Sequence, residues 1–416
     1  MNPRAASIFR QPGFVRLWGA HTLGQLGERI HQLGLMWWTM ATTGSVAWTG
    51  AMLVATTLPA VLLGPIAGTF ADRFERRRLM VTSASLRAAV VGGLAWLAWH
   101  DGLTIPVALV GSGIIAALTT LFSPAALAAL PRIVGPNQVL RGTSLMESSM
   151  QASALVGPVI GGLLVAGVGT AGAFALNATG LMIAAASLRS LVTDGLAPPG
   201  EREPFIQALG GGFRLLHRDR TIAGVLFCFA TVNVFTMPVI LFLPYFAREV
   251  FQAGATGLGM MEGCLGLGML AAALLFTSRA RVERPFPVVS GGIAGVGVAI
   301  AWMGLQPTFA AHLWALGLAG FCMGCVNVVT IAWFQTRVPA SEAGRFFGLM
   351  TSVASGLIPL SYGLYSLLAH SVPPAQLLVL NAVGVGLLAV ALATVPGFRA
   401  ATNGPPPHEE GPTQAA

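Results

Sequence analysis

The sequence predicts an all-α polytopic membrane protein with twelve transmembrane helices, and three observations carry that expectation. Of its 416 residues, 55% are hydrophobic and only 9% charged, a balance that a water-soluble domain would have to display as large apolar patches. A spanning helix needs about 20 mainly apolar residues, and twelve such stretches can be drawn. They begin near Phe14, Trp48, Leu79, Thr104, Thr143, Ala171, Thr221, Thr256, Phe286, Thr308, Phe346 and Pro374. The third observation is that basic residues crowd into every second connection. A transmembrane barrel would instead show short alternating segments.

Taken in order, the first stretch follows Arg4, Arg10 and Arg16 and carries Glu28, Arg29 and His31. It lacks a small-residue cleavage site, so it is expected to remain as helix 1 and not to be removed as a signal. Arg73, Arg76, Arg77 and Arg78 follow helix 2, and Arg132 and Arg141 follow helix 4. Arg202, Arg214, Arg218 and Arg220 follow helix 6, Arg279, Arg281 and Arg284 follow helix 8, and Arg337 and Arg345 follow helix 10. The loops between carry almost no arginine apart from Arg248. This is the positive-inside pattern, which places a multi-pass protein in the cell inner membrane with both termini cytoplasmic. The net charge of +8 is therefore topogenic and not the footprint of a nucleic-acid binder. Cys228, Cys264, Cys322 and Cys325 all fall within apolar stretches, where a thiol behaves as a small hydrophobe. Cys322 and Cys325 form a lone CxxC with no second ligand pair, so packing is expected there, with no metal and no other cofactor.

The longest polar interruption divides the chain into an N-terminal six-helix bundle (1–193), a cytoplasmic linker (194–220) and a C-terminal six-helix bundle (221–399). A Pro-rich tail (400–416) has too little apolar content to fold. An internal repeat supports the division. Arg132-Ile-Val-Gly-Pro-Asn-Gln-Val-Leu-Arg141 has a counterpart in Arg337-Val-Pro-Ala-Ser-Glu-Ala-Gly-Arg345. The offset of about 205 residues is that of parallel six-helix repeats, and it carries Glu28 onto Asn233.

Between helices 2 and 3 the chain reads Gly64-Pro-Ile-Ala-Gly68-Thr-Phe-Ala-Asp72-Arg73-Phe-Glu75-Arg76-Arg77-Arg78. This resembles the signature of the first cytoplasmic hairpin of the major facilitator superfamily. Helix 5 contains Ser153-Ala-Leu-Val-Gly157-Pro158-Val-Ile-Gly161-Gly162, which is similar to that family's antiporter motif. The stretch Leu17 to Glu28 and the turn Pro244-Tyr245-Phe246-Ala247-Arg248-Glu249-Val250 resemble its bacterial siderophore and macrolide exporter branch. The resemblance implies two pseudo-symmetric six-helix bundles. It also implies that Asp72, with Gly68, Arg73 and Arg76, latches a cytoplasmic gate against the start of helix 11 near Arg345. Asp72 balancing its neighbouring arginines is the plainer alternative. Glu75 stands where the family often has glycine. In helix 5, Pro158 removes a helical hydrogen bond and Gly157 and Gly161 admit a neighbouring backbone, so this segment suits gating as well as ordinary membrane packing.

An ionisable residue inside a membrane helix is costly and is a functional candidate by default. His21, Gln25, Glu28 and Gln32 recur on one face of helix 1. Glu28, with His31 three residues on, is the first candidate for loading and releasing a proton. The alternative is an ion pair between Glu28 and Arg29, with the histidines hydrogen-bonded in the core. Glu262 in helix 8 is a second coupling candidate, and Glu147 in helix 5, near Arg141, a weaker one. Gln25, Gln32, Trp37, Gln151, Asn233, Phe235 and Asn327 are candidate cargo contacts, while the amides among them, like Asn177, also suit interhelical hydrogen bonding. Trp38, Met36, Met40, Phe227, Met237, Phe242, Tyr245, Met260 and Met261 supply adaptable apolar surface, and the aromatic ones equally suit an interface belt.

These features predict a secondary active transporter and not an enzyme. The expectation is a proton-coupled exporter of a lipophilic or amphipathic small molecule such as a drug or siderophore, working by alternating access as a monomer whose partners are cargo, protons and the lipid bilayer. Uptake or lysophospholipid flipping by the same fold is the alternative. The short polar segments contain no phosphate-binding loop, so an ion gradient is the expected energy source.

Overall fold

A computed structural model describes residues 8–191, 214, 216–277, 282, 284–305, 308–339, 342–395 and 397–399, with backbone alone at 65, 66 and 68–73. Its long helices are α1 (Pro12–Thr43), α2 (Val46–Arg73), α3 (Arg76–Trp99), α4 (Ile105–Val134), α5 (139–168), α6 (170–189), α7 (Arg220–Tyr245), α8 (Gly254–Thr277), α9 (Pro285–Leu305), α10 (Phe309–Arg337), α11 (Ala343–Leu368) and α12 (Pro374–Ala393). No strand occurs among the described residues. The proposed linker 194–220, apart from 214 and 216–220, and the whole of the tail 400–416 fall outside the described residues. Among the described residues, ten continuous runs are long and apolar enough to cross a membrane. The polar α1 is not among them, and α5 and α6 share one.

Gly169 divides that shared run. Its φ of 72° and ψ of 173° lie in a region that only glycine enters without strain. Gly169→Val is therefore expected to cost about 1–3 kcal/mol, read as a lower thermal unfolding temperature. Gly167→Ala, where an added methyl meets nothing within 4 Å, should be close to neutral. Coincident unfolding of the two variants would contradict the assigned turn.

The chain forms two compact units. The first comprises Met1–Arg202 with Leu241–Gly263 and Tyr362–Ser371. It thus takes in the end of α7, the π-helical turn Phe246–Val250, the first part of α8 and the end of α11. Two apolar clusters hold it: Phe14, Leu17, Met80, Phe122, Met146 and Leu188 in one, and Leu35, Met52, Val91, Leu94, Phe174 and Leu181 in the other. Along α1, the stretch from Gly24 to His31 lies between them. Hydroxyls in the helices bond back onto their own turn, as Ser112 to the Ala108 carbonyl (2.6 Å) and Thr22 to the Trp18 carbonyl (2.8 Å), which satisfies them without water.

Arginines near the helix ends of this unit donate to carbonyls of other helices, two of them at the end of α6, where the last carbonyls have no partner within the helix. Arg16 donates to Ser190 O (3.1 Å), Arg77 to Arg189 O (3.3 Å) and Arg76 to Ala128 O (2.8 Å). Glu75 pairs with Arg77 (3.1 Å) and Arg78 (2.6 Å), which gives the acid a local role where the family often has glycine. Arg248, the exception to the arginine pattern, donates to the Met40 carbonyl at the end of α1 and lies 3.3 Å from Glu249.

The second unit comprises Glu203–Ile240, Cys264–Ser361 and Val372–Ala416. Its α9 packs against α10 and α12 through small residues that bring backbones together. A methyl at Gly304 would stand 2.7 Å from the Ala375 carbonyl, and one at Gly295 would stand 2.6 Å from the Cys322 sulfur. Asp219 accepts from the amides of Thr221 (2.8 Å) and Ile222 (3.1 Å), a side-chain cap at the start of α7. Its other oxygen lies 3.6 Å from Arg337 Nε.

Candidate functional site

The polar stretch of α1 is where the first unit gathers its buried charge. Residues i and i+1 on a helix do not share a face, and Glu28 and Arg29 accordingly go to different neighbours. Glu28 Oε2 lies 3.8 Å from Nη2 of Arg87 on α3, with side chains 37% and 4% exposed respectively. Arg29 faces α5, where a methyl on Gly157 would stand 2.5 Å from its Cβ, and it interacts electrostatically with Glu262 of α8. Tyr362 of α11 senses both Glu262 and Arg29. The acid–arginine relations are thus Glu28 with Arg87 and Glu262 with Arg29, and the folding back of Arg29 onto Glu28 is not what the structure displays.

His31 is buried and its ring lies on Phe174 of α6, centroids 4.5 Å apart. Neither of its ring nitrogens has a hydrogen-bond partner among the described residues. His21 is buried too, and its Nδ1 likewise has none among them. Asn177 of α6 turns its Oδ1 onto Gly27 so closely that any larger residue there would collide with it. One Glu262 oxygen is buried without a hydrogen bond among the described residues. The unit therefore holds several buried polar groups whose bonding capacity is not filled among the described residues, and such groups are costly unless a proton, water or ligand serves them.

Helix α5 is wedged between α1 and α8. A methyl on Gly161 would stand 3.2 Å from Ile30 Cα, one on Gly162 would stand 2.6 Å from the Ala255 carbonyl, and one on Gly259 would stand 2.7 Å from the Pro158 carbonyl. The residues singled out in α5 thus meet the helices that carry Arg29 and Glu262.

Of the other expected gating residues, Asp72, Arg73 and Gly68 belong to the last turns of α2, and their side chains lie outside the described residues. Arg345 is exposed in the first turn of α11. Among the cargo candidates, Gln25, Gln32, Trp37 and the exposed Gln151 belong to the first unit, and Asn233, Phe235 and Asn327 to the second. Asn233 donates to the Phe229 carbonyl of its own helix (2.9 Å). The Phe235 ring packs onto Gly384 of α12, where a methyl would stand 2.6 Å from it. Arg87 and Tyr362 were missed by the sequence reading. Arg87 carries its signal openly, as a charge eight residues into an apolar stretch, and the rule used for Glu28 applies to it equally.

Twelve long helices, most of them apolar enough to cross a membrane, with ionisable groups buried in their midst define a polytopic membrane protein, and the family and relatives that follow make it a transporter and not an enzyme. The chain matches the Major Facilitator Superfamily over residues 17–362 and belongs to that family. It is 26% identical over 369 residues to the multidrug efflux pump Tap of Mycobacterium tuberculosis, covering 84% of this chain and 85% of that one. It is 21% identical to macrolide efflux protein A of Streptococcus pyogenes over 366 residues (86% and 90%). It is 27% identical to the enterobactin exporter EntS of Escherichia coli over 350 residues (83% and 81%). Among solved structures, the nucleoside transporter NupG superposes with a TM-score of 0.72 at 12% identity, covering 92% of this chain and 99% of that one. A POT family transporter in complex with 5-aminolevulinic acid superposes at 0.70 and 11% identity, covering 94% and 97%. These likenesses bear on the fold alone.

Proposed function

We propose that this transporter is a proton-coupled exporter of lipophilic or amphipathic small molecules, drugs or siderophores among them, in the bacterial inner membrane. It works as a monomer by alternating access of two six-helix bundles (1–193 and 221–399), with the linker (194–220), the tail (400–416) and both termini cytoplasmic. The similarity to three efflux proteins over most of the chain supports export. The observation that carries the coupling is the pair of carboxylates on two membrane helices of one unit, one 3.8 Å from Arg87 of α3 and the other in electrostatic interaction with Arg29 of α1. Glu28 and Glu262 take up protons in exchange for cargo, His31 lies beside the first, and protonation loosens each acid from its arginine. Gly157, Pro158 and Gly161 let α5 move against α1 and α8, and Asp72 with Gly68, Arg73, Arg76 and Arg345 latches the cytoplasmic side. Gln25, Gln32, Trp37, Gln151, Asn233, Phe235 and Asn327 meet the cargo.

Inverted vesicles from an efflux-deficient bacterium, given an inward-acidic gradient, are expected to accumulate cargo in proportion to that gradient. Dye and drug accumulation would be compared for wild type, Glu28→Gln, Glu262→Gln and Asp72→Asn at matched membrane levels. Both glutamine variants are expected to lose gradient-driven accumulation. Normal accumulation by Glu28→Gln and Glu262→Gln across pH would remove the coupling role, and no accumulation by wild type under any gradient would remove export by antiport.

A further inference from the structure

We infer that Arg87 is the binding site of a small inorganic anion that replaces the Glu28 carboxylate when Glu28 is protonated. The guanidinium is always charged and carries five N–H donors in a fixed fork. Here its side chain is 4% exposed, and its ion contact is a single long approach of 3.8 Å to Glu28, well beyond the 2.7–2.9 Å or so of a charge-assisted hydrogen bond. Its Nε makes no hydrogen bond among the described residues. The neighbouring backbone leaves room, since a methyl at Gly24 would still stand 3.8 Å from Arg87 Nη1. His31 of α1 is close enough to interact electrostatically with Arg87, and its ring nitrogens have no partner among the described residues. Each of these groups offers or can offer a donor.

The groups around the pair are few. On α1 they are His31 and Arg29, the latter in electrostatic interaction with Glu262 of α8. On α6 they are the neutral Asn177 and Phe174. An isolated charge in such a setting is costly, so a proton on Glu28 leaves Arg87 requiring another counter-ion. A chloride-sized anion fits that requirement in charge and in donor geometry. Proton and anion then bind together and the site keeps its net charge. In the exchange proposed above, the anion travels with the proton and against the cargo. This last step rests on Glu28 being a proton carrier, whereas the anion site itself does not.

The test uses the full chain purified in detergent, with thermal unfolding followed in chloride against gluconate at constant ionic strength. Glu28→Gln imitates the protonated acid and is expected to be stabilised by chloride at roughly tenfold lower concentration than wild type at neutral pH, because a nearby carboxylate disfavours a second anion. In wild type the chloride response should grow as pH falls. The double variant Glu28→Gln/Arg87→Gln removes both charges, which a fold tolerates better than removing one, and should respond equally to both salts. An equal response of Glu28→Gln to chloride and gluconate would overturn the anion site, as would a chloride response surviving in the double variant. A chloride response as expected, combined with normal proton-driven accumulation by Glu28→Gln in vesicles, would leave the anion site standing and remove only its link to transport.

Discussion

In chloride-free medium, Glu28→Gln is expected to destabilise the purified chain by about 3 kcal/mol, and Arg87→Gln by clearly less, although both break the same ion pair. The asymmetry follows from burial. Removing Glu28 leaves a guanidinium with 4% of its side chain exposed and no other ion-pair partner among the described residues, whereas removing Arg87 leaves a carboxylate that is 37% exposed. The exposed carboxylate can be hydrated or can take a proton, while the arginine is shielded from solvent and cannot lose its charge. Replacing both by glutamine should recover most of the loss, since the penalty belongs to the unpaired charge and the two substitutions are in contact and therefore not additive. Thermal unfolding of the three variants in one detergent would read this out. A greater loss for Arg87→Gln than for Glu28→Gln would show that the guanidinium has another source of compensation.

The fold was legible because lipid leaves little choice. Long apolar runs, arginine at alternate connections and the two motifs gave twelve helices and their family. Most of the observed helices begin one to four residues earlier than the apolar stretches do, as at Val139 against Thr143 and Arg76 against Leu79, because charged residues can extend a helix beyond the hydrocarbon. The site was only half legible. Composition marked Glu28 and Glu262, but partners depend on which face of a helix each side chain leaves from. Adjacent residues diverge by about 100° at 3.6 residues per turn, so Glu28 and Arg29 were always poor partners, and that consideration points across to α3 and α8. The internal repeat sharpens the point. At the same offset of about 205 residues, Glu28 corresponds to Asn233 and Arg87 to Gly292. Asn233 bonds within its own helix, and a methyl at Gly292 would stand 2.7 Å from Val326. The acid–arginine pair of α1 and α3 thus has no counterpart at the equivalent positions of the second half.

Gly162→Val is expected to abolish transport and to cost the chain about 1–3 kcal/mol or more. The reason is that what meets the new side chain is backbone. A methyl there would stand 2.6 Å from the Ala255 carbonyl and 3.1 Å from Gly259 Cα, and across the same seam a methyl on Gly259 would stand 2.7 Å from the Pro158 carbonyl. A flexible side chain can turn aside from such an intrusion, but two helix backbones cannot without moving apart, which forfeits the close dispersion contacts that hold helices together in lipid. Separation of α5 from α8 would also draw Glu262 away from Arg29, which lies against Gly157 one helical turn and a little more from Gly162. The effect on coupling should therefore exceed the effect on folding. Vesicle accumulation and thermal unfolding should be measured together, with Gly180→Ala as the comparison, because a methyl there meets nothing within 4 Å. Gly162→Val that unfolds like Gly180→Ala and still drives accumulation would mean that α5 and α8 do not need this contact at any stage of the cycle.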